Sequence, residues 1–293
     1  MSTNEPAVSN HAAPPSQTCD LHIRYAPGMR EVETMNTEEL REAFLVTNLF
    51  PAGRLCIHFT DLDRMAVGGV MPAERLALPA FKETGTDFFL QRREMGIINI
   101  GNEGLVTVDG ADYPLNHLEC LYVGRGAREV VFAPGPKGGS AYYFVSTPAH
   151  AAYPTTRAGR KDANILELGE VRLANRRRIL QYIHETGIRS CQLVMGYTEL
   201  IEGSVWNTMP PHTHGRRTEI YFYFDLAGQM VFHLLGMPSR TRHVLVRDRE
   251  AVLAPSWSVH SGAGTGNYRF IWAMGGENQA FSDMDSVAPS ALS

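Results

Sequence analysis

The sequence predicts an all-β protein made of two similar barrel-like or sandwich-like domains with a few short helices. Short apolar runs recur at roughly regular intervals along most of the chain, which is typical of antiparallel strands in such folds. The 27 glycines and 17 prolines supply turns between these runs without making the chain low in complexity. The length of 293 residues suits about two domains at ~150 residues each.

The N-terminal half begins with a tail and one helix before its strands. Residues 1–20 contain almost no large apolar side chains, so we predict a disordered tail there. Thr37 is the predicted cap of a short helix in TEELREAFLV, where the apolar residues repeat with a helical period. The strongest hairpin signal is the apolar run 105–108 followed by Asp109-Gly110, because Asp-Gly suits a type I′ turn. The first predicted domain spans 21–150.

A stretch rich in turn-forming and charged residues divides the chain. Residues 151–180 include PTTRAGRKDAN and are predicted to connect the two domains. Strand-like runs resume after this stretch, so 181–293 is the second predicted domain. The strand-like runs of this half are 191–195, 220–224, 230–235, 243–246, 251–254 and 269–274.

Composition excludes several classes of partner. The net charge of −4 and pI near 6.3 leave no basic footprint for nucleic acid. No apolar run approaches the ~20 residues of a membrane helix, and the N-terminal residues do not form a secretory signal. The four cysteines are widely spaced, as in proteins of a reducing compartment. The sequence therefore predicts a soluble cytoplasmic protein with no nucleic-acid or membrane partner.

The most informative motif is PPHTHGRRTE, in which metal-binding side chains follow one another at strand spacing. His212 and His214 are two residues apart, so both imidazoles project from one face of a strand. Glu219 would face outward on an unbroken strand, but a bend or bulge at Gly215 can turn it inward. His260 follows a proline turn about forty residues downstream. Three imidazoles and one carboxylate suit Zn, Mn, Fe or Ni, and the donor set does not choose among them.

The order HxH, Glu and a distant proline-led His is the metal pattern of the cupin barrel, a jelly-roll fold. The fold prediction is therefore a bicupin whose C-terminal domain binds the metal. The N-terminal half contains no HxH and no matched Glu, which predicts a cupin-like copy without metal. A purely structural metal is the alternative, because four protein ligands close a zinc site. The other histidines have no partner at ligand spacing in the sequence.

Eight motifs follow one another along the chain in this order: TEELREAFLV, VGGVMP, RREMGIINIG, GLVTVDG, LYVGRGAREVVFA, WNTMPPHTHGRRTEIYFYF, APSWSVHSG and GENQAFSDMD. On these motifs the chain resembles the 5-keto-4-deoxyuronate isomerases (4-deoxy-L-threo-5-hexosulose-uronate ketol-isomerases), bicupin enzymes of pectin and uronate breakdown. The resemblance runs from about Glu38 to Ala288. Two features depart from the family's pattern: an N-terminal extension of about twenty residues, and Gly215 where an acidic residue is expected.

The resemblance implies a reaction, a cofactor and an assembly. It implies one Zn²⁺ per subunit, a homohexamer, and conversion of 5-dehydro-4-deoxy-D-glucuronate to 3-deoxy-D-glycero-2,5-hexodiulosonate. The metal ligands that it implies are His212, His214, Glu219 and His260.

Three further residues are candidates for catalysis. Arg217 is the first choice to bind the substrate carboxylate, because strand alternation places it on the metal side and a guanidinium suits a carboxylate; Arg216 is the alternative. Tyr223 shares the Glu219 face with Tyr221 and could donate a proton or a hydrogen bond, or only pack in the core. Glu277 could act as the base, or be an ordinary exposed glutamate. The sequence leaves open whether a proton or a hydride moves.

Other functions compete with this interpretation. The closest rival is the related 5-deoxyglucuronate isomerase of inositol catabolism. An Fe(II) cupin dioxygenase would need iron and oxygen, and a non-catalytic cupin would bind uronate without converting it. The long motifs favour the ketol-isomerase of uronate breakdown.

Overall fold

The computed structural model describes residues 19–277 and 279–293, and it confirms the all-β class. The strands are β1 (Cys19–Arg24), β2 (Leu45–Val46), β3 (Leu55–Thr60), β4 (Ala66–Val70), β5 (Leu76–Ala77), β6 (Arg93–Asn99), β7 (Gly104–Val108), β8 (Ala111–Leu115), β9 (Cys120–Val123), β10 (Val130–Pro134), β11 (Tyr142–Pro148), β12 (Thr156–Ala158), β13 (Asn164–Leu168), β14 (Arg177–Ile183), β15 (Val194–Leu200), β16 (Trp206–Thr213), β17 (Arg217–Phe224), β18 (Val231–Met237), β19 (Arg240–Val246), β20 (Glu250–Ala254), β21 (His260–Gly264), β22 (Arg269–Gly276) and β23 (Asp285–Ser286).

Helices are few and short, as the sequence predicts. The α-helices are α1 (Met29–Val32) and α2 (Thr37–Phe44), and the 3-10 turns are Leu62–Arg64, Lys82–Thr84, Phe89–Gln91, Arg160–Asp162, Val171–Leu173 and Pro289–Ala291. None of the helices that the structure describes is long and apolar enough to cross a bilayer.

The strands form two pairs of sheets, one pair in each half of the chain. In the first half, a seven-stranded sheet has the order β1-β3-β4-β11-β6-β9-β12, and a four-stranded sheet has the order β5-β10-β7-β8. In the second half, a seven-stranded sheet has the order β13-β14-β15-β22-β17-β20-β2, and a five-stranded sheet has the order β19-β18-β21-β16-β23. Each half is therefore a two-sheet jelly-roll-type barrel, as the sequence predicts.

The two seven-stranded sheets pack against each other. One apolar cluster contains buried side chains from both, and the rings of Tyr143 and Phe222 stack there with centroids 4.2 Å apart. Asp63 adds a polar link, because its carboxylate accepts a hydrogen bond from the backbone N–H of Thr218 at 2.8 Å. This interface places the start of β17 beside the N-terminal barrel.

Helix α2 and strand β2 join the barrel of the other half. The helix begins at the predicted Thr37, but its N-cap is Asn36, whose side chain accepts hydrogen bonds from the two backbone N–H groups at positions 38 and 39. Leu40 and Phe44 are buried in the core of the C-terminal barrel. The last two residues of the predicted helix form β2, which pairs with β20. Extended pairing there removes them from the helix.

Two of the predicted segment boundaries differ from the structure. Residues 1–18 of the predicted tail lie outside the described residues, while Cys19 and Asp20 belong to β1, which pairs in parallel with β3. The predicted connection 151–180 contains β12, β13 and the start of β14. Its Pro, Gly and charged residues resemble a loop because β12 has only three residues and β13 is a largely exposed strand at a sheet edge.

Candidate metal centre

The four predicted ligands meet at one end of the C-terminal barrel. His212 lies near the end of β16, His214 directly follows that strand, Glu219 lies on β17, and His260 begins β21. Antiparallel pairing sets His212 directly opposite His260. Three of the four side chains are buried, and that of His212 is half-buried. The sheet register thus brings together residues that are up to 48 positions apart in the chain.

The ligand atoms face one another at short distances. Nε2 of His212 lies 3.1 Å from Nε2 of His214, and the latter lies 3.0 Å from Oε2 of Glu219. Nε2 of His260 lies 3.1 Å from the same carboxylate oxygen. One ligand atom from each of the four residues lies within 4.8 Å of the others. This geometry suits a single ion at the centre of the group.

Hydrogen bonds on the far side of two imidazoles set their orientation. Nδ1 of His214 donates to the backbone carbonyl of Asp283 at 2.7 Å, and Nδ1 of His260 donates to that of Ser258 at 3.2 Å. In the neutral rings, both Nε2 lone pairs then point at the shared centre, which is the usual arrangement of metal-binding histidines. Nε2 of His260 is buried and makes no hydrogen bond within residues 19–277 and 279–293. A bound cation would satisfy this atom.

The electrostatics of the group favour a neutral His212 imidazole and an ionised Glu219 carboxylate. Burial, reinforced by His260, lowers the pKa of His212 to about 2, so the ring is neutral near pH 7. Burial alone would raise the pKa of Glu219, but the proximity of His260 and His214 outweighs it and holds that pKa well below its usual range. Three neutral nitrogens and one carboxylate oxygen are the donor set that Zn, Mn, Fe and Ni accept.

A cavity of about 280 Å³ opens beside the ligands. Its lining combines three of the ligands with aromatic, aliphatic and hydroxyl side chains. The lining residues are Leu168, Arg177, Ile179, Thr198, Thr208, Pro210, His212, His214, Glu219, Tyr221, Phe270, Trp272, Met274, Phe281, Met284 and Ser286. Arg177 is the sole Lys or Arg among them, so it is the natural partner for an anionic group on a small substrate.

Arg217 is buried away from this cavity. Its guanidinium donates to the backbone carbonyls of Ala280 at 2.9 Å and Asp283 at 3.2 Å. Strand alternation does point it inward, but the segment 280–283 folds over it and takes up its donors. Since Asp283 is also the residue whose carbonyl orients His214, Arg217 holds the chain segment that positions a metal ligand. Its role as carboxylate anchor stays a prediction, and these contacts favour Arg177 for that role.

The other predicted catalytic residues lie outside the cavity lining. Tyr223 is fully buried, and its hydroxyl lies 2.7 Å from Nδ1 of His233. Glu277 is exposed, and its backbone N–H donates to the carbonyl of Arg216. The Arg216 side chain forms an ion pair with Asp283 at the surface. Catalytic roles for Tyr223 and Glu277 stay predictions.

Sequence reasoning missed Arg177, and it named Tyr221 alongside Tyr223 as a possible hydrogen-bond donor. The tertiary structure places Arg177 and Tyr221 in the cavity lining. Arg177 belongs to the arginine run 176–178. The apolar Ile179, two residues later and so on the same face of a strand, was the signal that could have assigned Arg177 to a strand. The hydroxyl of Tyr221 faces the cavity beside Oγ1 of Thr208, at 3.4 Å. Burial and the Glu219 carboxylate raise the pKa of Tyr221 well above its usual range, so this hydroxyl stays protonated and can donate.

A second cluster of potential ligands is found in the N-terminal half. Atoms of His22, Cys56 and His58 approach within 4.8 Å of one another. Nε of Arg24 donates to Nδ1 of His58 at 3.1 Å, so the neutral ring carries its proton on Nε2, which lies 3.5 Å from the Cys56 sulfur. Because that nitrogen has no free lone pair, the cluster is a hydrogen-bonded group and does not fit a metal.

Two jelly-roll barrels in one chain define a bicupin, and the second barrel carries three histidines and one glutamate that could hold a metal ion. The chain matches the KduI/IolB family over residues 48–288. The chain belongs to this family.

Individual relatives agree with this assignment. The chain is 59% identical to the 4-deoxy-L-threo-5-hexosulose-uronate ketol-isomerase of Opitutus terrae, over 93% of this chain and 100% of the relative. It is 50% identical to the protein of the same name from Kineococcus radiotolerans, with the same coverage.

Solved structures support the fold at low sequence identity. An IolB-like protein from Salmonella typhimurium covers 76% of this chain and 86% of its own, with a TM-score of 0.62 and 13% identity. Oxalate decarboxylase of Bacillus subtilis covers 76% and 71%, with a TM-score of 0.54 and 8% identity.

Proposed function

We propose that this protein is a metal-dependent ketol-isomerase that converts 5-dehydro-4-deoxy-D-glucuronate to 3-deoxy-D-glycero-2,5-hexodiulosonate in uronate and pectin degradation. The observation that carries the proposal is the 59% identity to a ketol-isomerase over 93% of the chain. The ligand cluster beside a cavity of about 280 Å³ is consistent with a six-carbon acid as substrate. The domain division into 21–150 and 181–293 belongs to the same proposal.

His212, His214, Glu219 and His260 would hold the ion, which we propose to be Zn²⁺, with Mn, Fe and Ni as alternatives. A divalent ion in this position supplies Lewis-acid polarisation of a carbonyl oxygen. Four protein ligands leave room for substrate only if the ion expands its coordination beyond four. The cavity on the side of His212 provides that space.

The chain's own residues bind and orient the substrate. The guanidinium of Arg177 would receive the substrate carboxylate, since its one hydrogen bond within residues 19–277 and 279–293 is to the backbone carbonyl of Asn175, at 2.9 Å. Tyr221, held protonated by its surroundings, would donate to a substrate oxygen next to the metal centre. Trp272, Phe270 and Phe281 line the cavity and exclude water from the reacting carbons.

The test of this function compares metal-replete and chelator-stripped protein with 5-keto-4-deoxyuronate, followed by NMR. Conversion to the 2,5-diketo acid in the metal-replete sample alone supports the proposal. No conversion there, together with turnover of 5-deoxyglucuronate, would favour the related isomerase of inositol catabolism. An anaerobic sample tests the dioxygenase alternative, which requires oxygen. Binding of the uronate without any product would favour a non-catalytic cupin.

Replacement of Arg177 by Met is expected to raise KM about 10- to 100-fold, because the substrate carboxylate loses a charge-assisted hydrogen bond of about 1.5–3 kcal/mol. Steady-state kinetics measure this effect. Arg176→Met is the matched control, since Arg176 lies next in the chain, is not part of the cavity lining, and forms an ion pair with Glu167 at 3.6 Å. Equal KM values for the two variants would show that Arg177 does not bind the substrate carboxylate. Arg217 would then again be the first choice for that role.

In heavy water, we expect the product to carry deuterium at C1. Proton transfer from C2 to C1 through a protein group exchanges with solvent, whereas a hydride shift does not. NMR of the product reports the label directly. Unlabelled product would contradict the proton-transfer route and point to a hydride shift or a fully shielded proton.

The assembly and compartment belong to the proposal as well. We propose a homohexamer in the cytoplasm, because the chain resembles hexameric isomerases and its four cysteines are free thiols. The expected result of light scattering on the purified protein is a mass about six times that of the 32.5 kDa chain. A smaller mass would contradict the hexamer.

A further inference from the structure

The N-terminal barrel has a cavity beside the first residue of β6, the strand that corresponds in sheet order to β17 of the metal centre. Strand β6 lies between β11 and β9, as β17 lies between β22 and β20. Arg93 begins β6 and pairs with the last residue of β11, while Arg217 begins β17 and pairs with the last residue of β22. Two positions further along β6, Met95 occupies the place of Glu219. The equivalent site has therefore lost its carboxylate ligand.

Arginines converge on this cavity, whose volume is about 430 Å³. Arg24, Arg64, Arg92 and Arg93 line it. Within residues 19–277 and 279–293, none of these four side chains lies within 4 Å of a carboxylate oxygen. Elsewhere in the chain arginines are paired: Arg160, Arg178 and Arg269 all form ion pairs with Glu199. Four guanidinium groups without a carboxylate partner line one cavity. They create a local positive potential on a chain whose net charge is negative.

Arg93 is the central observation, because it is only 7% exposed. Nε donates to Oγ of Ser146 at 3.1 Å, and Nη2 donates to the backbone carbonyls of Arg64 and Ser146. Nη1 makes no hydrogen bond in the described part of the chain. The rings of Phe59 and Phe89 flank the guanidinium at 5.6 and 5.7 Å. A buried cation without an acidic partner is costly, and an anion in the cavity would offset that cost.

Other groups in the lining suit a polar anion. Thr60, Thr84 and Thr86 add polar side chains to the lining, and the hydroxyls of Thr84 and Thr86 donate to the backbone carbonyls of Phe81 and Phe88. Two exposed carboxylates, Asp61 and Glu83, also lie in the lining. Asp61 is engaged by the backbone N–H of Ala26 at 2.9 Å. The four arginines outnumber these two acids, so the cavity keeps a positive balance.

We propose that this arginine-lined cavity of the N-terminal barrel is a second ligand site, distinct from the metal centre, that binds a small oxyanion. The recognised chemistry is a carboxylate or phosphate group held by guanidinium groups. Two sources present this chemistry, a sugar acid and inorganic phosphate. The volume of about 430 Å³ accommodates either.

Isothermal titration calorimetry on the full-length metal-loaded protein tests the site with inorganic phosphate, D-gluconate and neutral D-glucose. We expect one or both anions to bind with a Kd on the order of 1 mM, and glucose not to bind. Phosphate binding without gluconate binding identifies phosphate as the ligand, and the reverse identifies a sugar acid. Heat from neither anion would overturn the proposal.

Variants locate the binding. Arg92→Ala and Arg64→Asn should each weaken it about tenfold, through loss of a charge-assisted hydrogen bond. Both side chains are exposed, and Asn tolerates the positive φ of 53° at position 64. Arg30→Ala, on α1 outside the cavity, should leave binding unchanged. Binding lost in His260→Ala but retained in the Arg64 and Arg92 variants would assign the anion to the metal cavity and overturn the proposal.

Discussion

His260→Ala is expected to abolish metal binding and to lower kcat/KM at least a thousandfold. The side chain is 1% exposed, its Nδ1 is held by the carbonyl of Ser258, and its Nε2 faces the carboxylate of Glu219. Alanine removes one of four donors and leaves a buried gap among the others. Loss of Lewis-acid stabilisation of a developing negative charge costs several kcal/mol, and each 1.36 kcal/mol is about tenfold in rate.

Metal content and turnover are measured together for this variant. Elemental analysis of the purified protein should show less than about one tenth of the wild-type metal, consistent with losing one of the ligands that define the site. His243→Ala is the control, since His243 is exposed on β19 and is not among the ligands. A His260 variant that keeps both its metal and its activity would contradict the metal-dependent mechanism.

Glu94→Ala is expected to destabilise the folded protein by about 4 kcal/mol, the largest effect that we predict outside the metal centre. Glu94 is fully buried on β6, and its carboxylate accepts four hydrogen bonds of 2.7 Å. Tyr122 donates one from the N-terminal barrel, and the backbone N–H groups of residues 191–193 donate three from the other half of the chain. Removing the acceptor leaves these donors unsatisfied at about 1–3 kcal/mol each, less than additively.

Thermal unfolding followed by circular dichroism measures the loss, with an expected fall in Tm of about 10 °C for a chain of this size. Glu94→Gln should lie between wild type and Ala. One of its amide positions still accepts hydrogen bonds, while the NH₂ group faces donors. Glu103→Ala replaces an exposed glutamate of the same barrel and should change Tm little. A Tm of Glu94→Ala equal to that of this control would show that the four hydrogen bonds to Glu94 do not stabilise the fold.

The hairpin and the metal ligands show how much local sequence can predict. Asp109 and Gly110 adopt φ angles of 48° and 81° and connect β7 to β8, as the Asp-Gly signal predicts. His212 lies on β16 and His214 directly follows that strand, and both imidazoles reach the same centre, as their spacing predicts. Both features depend on neighbours in the chain, and a pattern of a few residues is enough to specify them.

Arg177 and Arg217 show where local reasoning ends. Alternation along β17 correctly predicts that Arg217 points inward, but it does not reveal that segment 280–283 will occupy that side. Arg177 lies in a stretch that resembles a connection, yet pairing with β15 carries it to the cavity. Which arginine meets the substrate depends on segments distant in sequence, and no spacing rule contains that information.

The sequence by itself determined the all-β class, the two barrels and the identity of the four candidate metal ligands, because strand period, turn chemistry and ligand spacing are local properties. Only the tertiary structure decided that α2 packs in the C-terminal barrel, that Glu94 joins the two halves, and that four arginines share one cavity. Those arrangements come from contacts between residues far apart in the chain. Such contacts are selected by burial and hydrogen bonding in the packed structure, and short sequence patterns do not encode them.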